Sequence, residues 1–201
     1  MRPIELTPRL LSVAHLVPLG ARLADVGTDH AYLPAYLLQQ GIIDAALATD
    51  LRPGPLERAR QTAERCGLTD RISFRLCDGL SGIEPEETDT VVIAGMGGET
   101  IAAILAAAPW LRRGACRLIL QPMSAQDDLR RGEVREHPKQ YPHHSGQDRP
   151  LQAALLSLSQ LPQTEHGTLL FHDINSSFWL VIANFCTNER AAPKGTASYQ
   201  D

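Results

Sequence analysis

Arg-Leu-Ala-Asp-Val-Gly-Thr-Asp-His-Ala-Tyr-Leu-Pro, residues 22–34, decides the fold. An apolar strand over Leu23–Val26 carries Asp25, the chain turns at Gly27, and a helix begins after His30. Open α/β sheets bind ligands at the carboxyl ends of their strands, which is where Asp25 falls. Gly27 lacks a side chain, so a ligand can approach its backbone closely. A Gly-x-Gly-x-x-Gly string is absent, so no glycine-lined pyrophosphate turn is expected. An acidic loop suits a cofactor with a cationic amino-acid end better than a pyrophosphate. S-adenosylmethionine is such a cofactor.

Outward from this stretch, strands and helices alternate. Thr7-Pro8 reads as an N-cap with proline at the first helical position, opening a short helix to about Val17. Further helices are expected over Ala31–Gln40, Pro55–Cys66 and the run holding Ile101, Ile104, Leu105 and Ala108. Strands are expected over Ala45–Thr49, Ile72–Cys77, Thr90–Ala94 and Arg117–Leu120. Thr90–Ala94 is nearly all apolar, as a strand covered on both faces must be. The alternation predicts a parallel, doubly wound α/β sheet.

The pattern changes near Arg131. Residues 132–150 contain three His and three Pro with hardly an apolar side chain. Their composition fits disorder or an out-of-frame reading of a GC-rich gene. Apolar stretches return at Leu151–Leu161, Leu169–Phe171 and Phe178–Phe185, and the last two are candidate strands. The chain is therefore divided into residues 1–131 and an atypical segment, 132–201.

Composition narrows the function. The formal charge is −4, so nucleic-acid binding is not advertised by the whole chain, though a local basic face is compatible with it. No apolar run reaches membrane-spanning length and the N-terminus lacks a signal-peptide core. Cys66, Cys77, Cys116 and Cys186 are scattered singly, which supports neither a zinc site nor a disulfide framework. His137, His143 and His144 match no metal-ligand spacing, so no metal is expected. A reduced, cytoplasmic protein is the expectation; the oligomeric state is left open.

Four strand-end features line up along one rim of the predicted sheet. They are Asp25 with Gly27, Asp50, Asp78-Gly79, and Ala94-Gly95-Met96-Gly97-Gly98. Asp50 is placed to accept both hydroxyls of a ribose, and Asp78 to accept an adenine amino group. Asp25 and the Gly27 backbone then face the methionine end, with His30 as a further cofactor contact. Strand-end aspartates are also ordinary turn formers and caps, and Asp29 is equally a candidate N-cap for the next helix. Three glycines in four residues, at 95–98, allow a planar base to lie close to backbone.

Four strings resemble a known family. They are Leu-Ala-Asp-Val-Gly-Thr-Asp-His-Ala-Tyr-Leu-Pro (23–34), Asp-Gly-Leu (78–80), Val-Ile-Ala-Gly-Met-Gly-Gly (92–98) and Leu-Ile-Leu-Gln-Pro (118–122). Together they resemble the bacterial tRNA (adenine-22, N1)-methyltransferases over roughly residues 5–131. The resemblance implies a class I, Rossmann-like methyltransferase fold, S-adenosylmethionine as cofactor and tRNA as partner. It implies methyl transfer to N1 of an adenine. Asp29, Gly95 and Met96 become the candidate catalytic residues: Asp29 supplies charge, and the Ala94–Gly98 loop supplies the base platform. Asp25, Gly27, His30, Asp50, Asp78, Gly79 and Ala94 become the candidate cofactor contacts. Arg112, Arg113, Arg130 and Arg131 are candidate phosphate contacts. The chain departs from the family at Met123, where an Asn is usual, and after Arg131, where the family's closing strings and helical extension are not recognisable. The alternatives are a cofactor-binding remnant without turnover, and a methyltransferase acting on a small molecule or a protein.

Overall fold

The computed structural model describes residues 3–112, 116–125, 170–173 and 179–185. Along the chain run α1 (Pro8–Ala14), β1 (Leu23–Val26), α2 (Tyr32–Gln39), β2 (Ala46–Asp50), α3 (Pro53–Cys66) and β3 (Ile72–Leu76). They are followed by β4 (Thr90–Gly97), α4 (Gly98–Ala106), β5 (Cys116–Ser124), β6 (Leu170–Asp173) and β7 (Trp179–Phe185). The strands form one sheet in the order β3-β2-β1-β4-β5-β7-β6. The first five are mutually parallel, and β7 runs antiparallel to both β5 and β6. This is the Rossmann-like architecture of class I methyltransferases.

The expected apolar stretches supply the two closing strands, displaced by a residue or two, although no familiar string marks them. Ile119 pairs with Ile182, and Phe171 with Val181, so the added hairpin continues the sheet past β5. The low-apolar stretch 132–150, with its three histidines, lies outside the described residues, as do Arg113, Arg130 and Arg131.

Alternation along each strand sends side chains to two separate cores. Ala24, Val26, Val91, Ile93, Leu118 and Leu120 pack with Ile101, Ala102 and Leu105 of α4 on one face. Leu23, Ala46, Ala48, Val92 and Ile119 pack on the other, with Val13 of α1, Leu37 of α2 and Ala63 of α3. Both faces of the central strands are thus covered, which explains why the parallel strands read as continuous apolar runs. Ile101 is fully buried, and its truncation to alanine is worth about 2–5 kcal/mol.

Local chemistry sets the element ends. Thr7 caps α1, its hydroxyl accepting from Leu10 N at 3.4 Å, with Pro8 at the first helical position. Gly67 ends α3 at φ +64°, a left-handed cap that glycine adopts without steric cost. Three expected boundaries move. Helix α1 stops at Ala14, so Val17 lies beyond it. β3 ends at Leu76, so Asp78 stands two residues past the strand. β4 continues through the glycine string to Gly97, with register shifts at Ala94/Met96 and Met96/Gly97. A β-bulge absorbs the extra residue there, beyond Ala94, where the strand had been expected to end.

Candidate functional site

The crevice of this sheet opens where the strand order reverses, between β1 and β4. The acidic side comes from β1 and β2. Asp25 is 6% exposed, and Thr28 Oγ1 donates to its Oδ2 at 2.6 Å. Burial pushes its carboxyl up to about 6; the Thr28 hydrogen bond opposes the shift and the nearby Asp50 charge adds to it. Asp50 is 8% exposed, and its Oδ1 accepts from Arg52 N at 2.9 Å. Its other oxygen has no partner among the described residues. That oxygen is not sealed from solvent, so it is open to a donor, and a ribose diol supplies such donors.

Gly27 floors this corner at φ +72°, and its N–H and that of Thr28 both donate to Thr49 O. A Cβ added to Gly27 would fall 2.1 Å from Met96 Cε. The Met96 methyl therefore rests on the Gly27 backbone, joining the β1 turn to the β4 bulge. Gly79 fits tightly as well: at φ +54°, a Cβ there would meet the two Ile104 γ carbons at 2.9 Å. Asp78 beside it is exposed, and its carbonyl accepts from Ser81 N. Leu51 and Leu76, half-exposed at the ends of β2 and β3, border Asp50. They form an apolar edge suited to a base, a feature not anticipated from sequence because single leucines carry no signal.

Asp29 is not a helix cap. Ala31, itself at φ +54°, holds that position without a side-chain hydrogen bond. Asp29 instead sits at φ +49° with its carboxylate mostly exposed. Arg58 of α3 donates to its Oδ1 at 2.7 Å. His30 Nε2 lies 3.6 Å from its Oδ2, and the His30 ring stacks on Tyr32 with centroids 5.1 Å apart. The expected charge at Asp29 is therefore held in a cluster with Arg58 and His30.

The opposite side is built from β4, β5 and α1. Gln121 is buried, and its Oε1 accepts from both Gly95 N at 3.1 Å and Arg9 Nη1 at 2.7 Å. Its Nε2 donates to Pro122 O, which fixes the amide orientation. Gly95 stands at φ +84°, and a Cβ there would lie 3.3 Å from Arg9 Nη1. At Gly98 a Cβ would collide with Ala125 O at 2.4 Å, so only glycine admits the β5 backbone this closely. Ala94 is half-buried below this bulge. Sequence reasoning singled out the glycines and missed Arg9, which lies 112 positions from its partner Gln121. A lone arginine in a short helix carries no recognisable pattern.

The structure thus brings Asp25, Gly27, Asp50, Ala94, Gly95 and Met96 to one crevice. Asp29 and His30 lie on its border, and Asp78 and Gly79 follow β3. A family model described as a methyltransferase domain matches residues 6–138. The crystal structure of the B. subtilis m1A22 tRNA methyltransferase TrmK is 31% identical, with a TM-score of 0.68, covering 92% of this chain and 68% of that one. The chain belongs to the TrmK family of methyltransferases. The curated tRNA (adenine(22)-N(1))-methyltransferase of Bacillus subtilis (strain 168) is 44% identical over 122 residues, 61% of this chain. This chain spans about half of that relative's length, 51%. M. capricolum TrmK in complex with S-adenosyl-homocysteine is 28% identical, with a TM-score of 0.64, covering 90% of this chain and 69% of that one.

Among the described residues no helix is long and apolar enough to cross a membrane.

Proposed function

We propose that this chain transfers a methyl group from S-adenosylmethionine to N1 of an adenine in tRNA, at position 22, in the cytoplasm. The observation that carries the reading is the pair of buried carboxylates at the tips of β1 and β2, Asp25 and Asp50, beside a glycine floor. Family membership and the S-adenosyl-homocysteine complex of M. capricolum TrmK support the choice of cofactor.

The residues fit that cofactor. Asp50, with one unpaired oxygen, would hold the ribose hydroxyls, and Leu51 and Leu76 would border the adenine with Asp78. Asp25 and the Gly27 backbone would hold the methionine end, with His30 and Ala94 at its margins, and Gly79 would stand with Asp78 on the adenine side. When bound, S-adenosylmethionine supplies an electrophilic methyl on a sulfonium.

The chain's own work follows from the chemistry of the acceptor. Adenine N1 has a free lone pair, so no base is required to remove a proton before attack. The nitrogen becomes cationic as it is methylated, so nearby negative charge favours the transition state. Asp29 is the residue assigned that role, its Oδ1 accepting from Arg58. The bulge Ala94–Gly97 would form the platform for a base taken out of its stack, with Gly95 and Met96 beneath it. Alignment supplies most of the remaining acceleration.

The test is direct. Wild-type protein is incubated with methyl-labelled cofactor and unmodified tRNA, and the digested nucleosides are separated by mass spectrometry. Labelled 1-methyladenosine that disappears when A22 is replaced by G is expected. Cofactor binding without any labelled nucleoside would favour a remnant without turnover. Label on a protein or a small molecule would assign a different substrate.

A further inference from the structure

The two sides of the crevice differ in charge. The β1–β2 side carries Asp25, Asp29 and Asp50, suited to a cationic sulfonium and ammonium. Arg9 stands on the β4–β5 side. It is half-buried, and its Nη1 is spent on the neutral Gln121 amide. No carboxylate pairs with it among the described residues. Its Nη2 and Nε donors have no partner among the described residues.

This is an unusual situation for arginine. A guanidinium carries five donors in a rigid fork and stays charged even when burial lowers its proton affinity. Partly removing that charge from water without an anion costs free energy, so the arrangement is stable only if something else is gained. Gln121 also sets where the fork sits. Its carbonyl oxygen holds Arg9 and the Gly95 N–H together, so the guanidinium lies against Gly95, within the glycine string itself. A side chain at residue 95 would press on it. The free donors therefore stand beside the surface on which the target base is proposed to lie.

We propose that Arg9 binds a phosphate of the RNA strand next to the target base, and so seats that strand on the β4–β5 side of the crevice. The inference rests on the reading of the substrate as tRNA. Phosphate is the anion a planar fork accepts best, through two parallel hydrogen bonds. Every nucleotide brings one, and its position relative to the base is fixed by the ribose.

The experiment compares wild type, Arg9→Ala, Arg9→Lys and Gln121→Ala in the full chain. Equilibrium binding of unmodified tRNA is followed by fluorescence anisotropy between 50 and 200 mM salt, a range of about fourfold. S-adenosylhomocysteine affinity and the thermal midpoint are measured on the same samples. Arg9→Ala is expected to weaken tRNA binding roughly fivefold and to lower the log–log salt slope by about 0.7–0.9, one phosphate contact. Arg9→Lys should keep the wild-type slope, because the charge is retained, and S-adenosylhomocysteine affinity should not change. Gln121→Ala should slow methylation while keeping the slope, since it misplaces the fork without removing its charge. An Arg9→Ala protein that methylates poorly but keeps the wild-type slope would overturn the inference, leaving Arg9 as a brace for the bulge. If wild type neither binds nor methylates tRNA, the substrate reading itself fails, and this inference with it.

Discussion

Met96 lies against Gly27: the methyl end of its side chain occupies the place a Cβ at residue 27 would take. The contact links the turn after β1 to the bulge of β4 across the crevice. It makes the absence of a side chain at residue 27 a packing requirement as well as a conformational one.

Replacing Gly27 with alanine should therefore have two separable costs. The left-handed backbone at φ +72° accounts for about 1–2 kcal/mol of lost stability. Displacement of the Met96 methyl adds to it. The double variant Gly27→Ala/Met96→Ala should remove the collision but not the backbone strain. Urea unfolding of the single and double variants measures the coupling. Strict additivity would show that the two residues do not meet.

Asp50→Ala should weaken S-adenosylhomocysteine binding by about 1.5–3 kcal/mol, as for hydrogen bonds to a charged acceptor. Titration calorimetry reads this directly. Unchanged affinity would remove Asp50 from the ribose site.

Asp29→Asn should slow single-turnover methylation while leaving S-adenosylhomocysteine affinity nearly intact. Because the Asp29–Arg58 pair is exposed, folding stability should change by less than about 1 kcal/mol. Rate and affinity falling together would make Asp29 a cofactor ligand instead.

Asp25 should give the protein an unusual pH response. Its carboxyl is raised from 3.8 to about 6 in the folded state, so the native protein binds a proton more tightly than the unfolded chain does. Its contribution therefore favours folding below pH 3.8 and declines as pH rises through about 6, a difference on the order of 3 kcal/mol. Asp25→Asn should abolish this slope in denaturation measured from pH 4 to 7. A ligand with a cationic ammonium group needs the ionised form. S-adenosylhomocysteine should bind more weakly below pH 6 and release a proton on binding. Thr28→Val removes the hydrogen bond that favours ionisation, and should move the binding transition to higher pH. A flat pH profile for binding would place the ammonium group elsewhere.

The sheet was legible because its order is written locally. Strands β1, β2, β4 and β5 are largely apolar runs, β3 alternates apolar Ile72, Phe74 and Leu76 with Ser73 and Arg75, and α3 carries a one-sided apolar stripe. The acidic strand tips were legible for the same reason, since Asp25 and Asp50 are placed by the strands they end. Features made by distant parts of the chain were not. The Arg9–Gln121 hydrogen bond and the Asp29–Arg58 ion pair depend on helix placement, which periodicity does not encode. The bulge in β4 was hidden because a glycine string reads equally as a turn or as a strand that must give way. Strands β6 and β7 were detectable only as apolar stretches; their pairing with β5 required the sheet edge they cover.

The Gln121 carbonyl that gathers Arg9 and Gly95 has a consequence for how the molecule is made. Arg9 leaves the ribosome 112 residues ahead of its acceptor, whereas Asp29 and Arg58 are separated by only 29. Short loops close at lower entropic cost, and nascent chains fold from the N-terminal end. The anionic corner is thus able to take shape while the rest is still being translated. The face that Arg9 serves is finished only when the fifth strand slides into place.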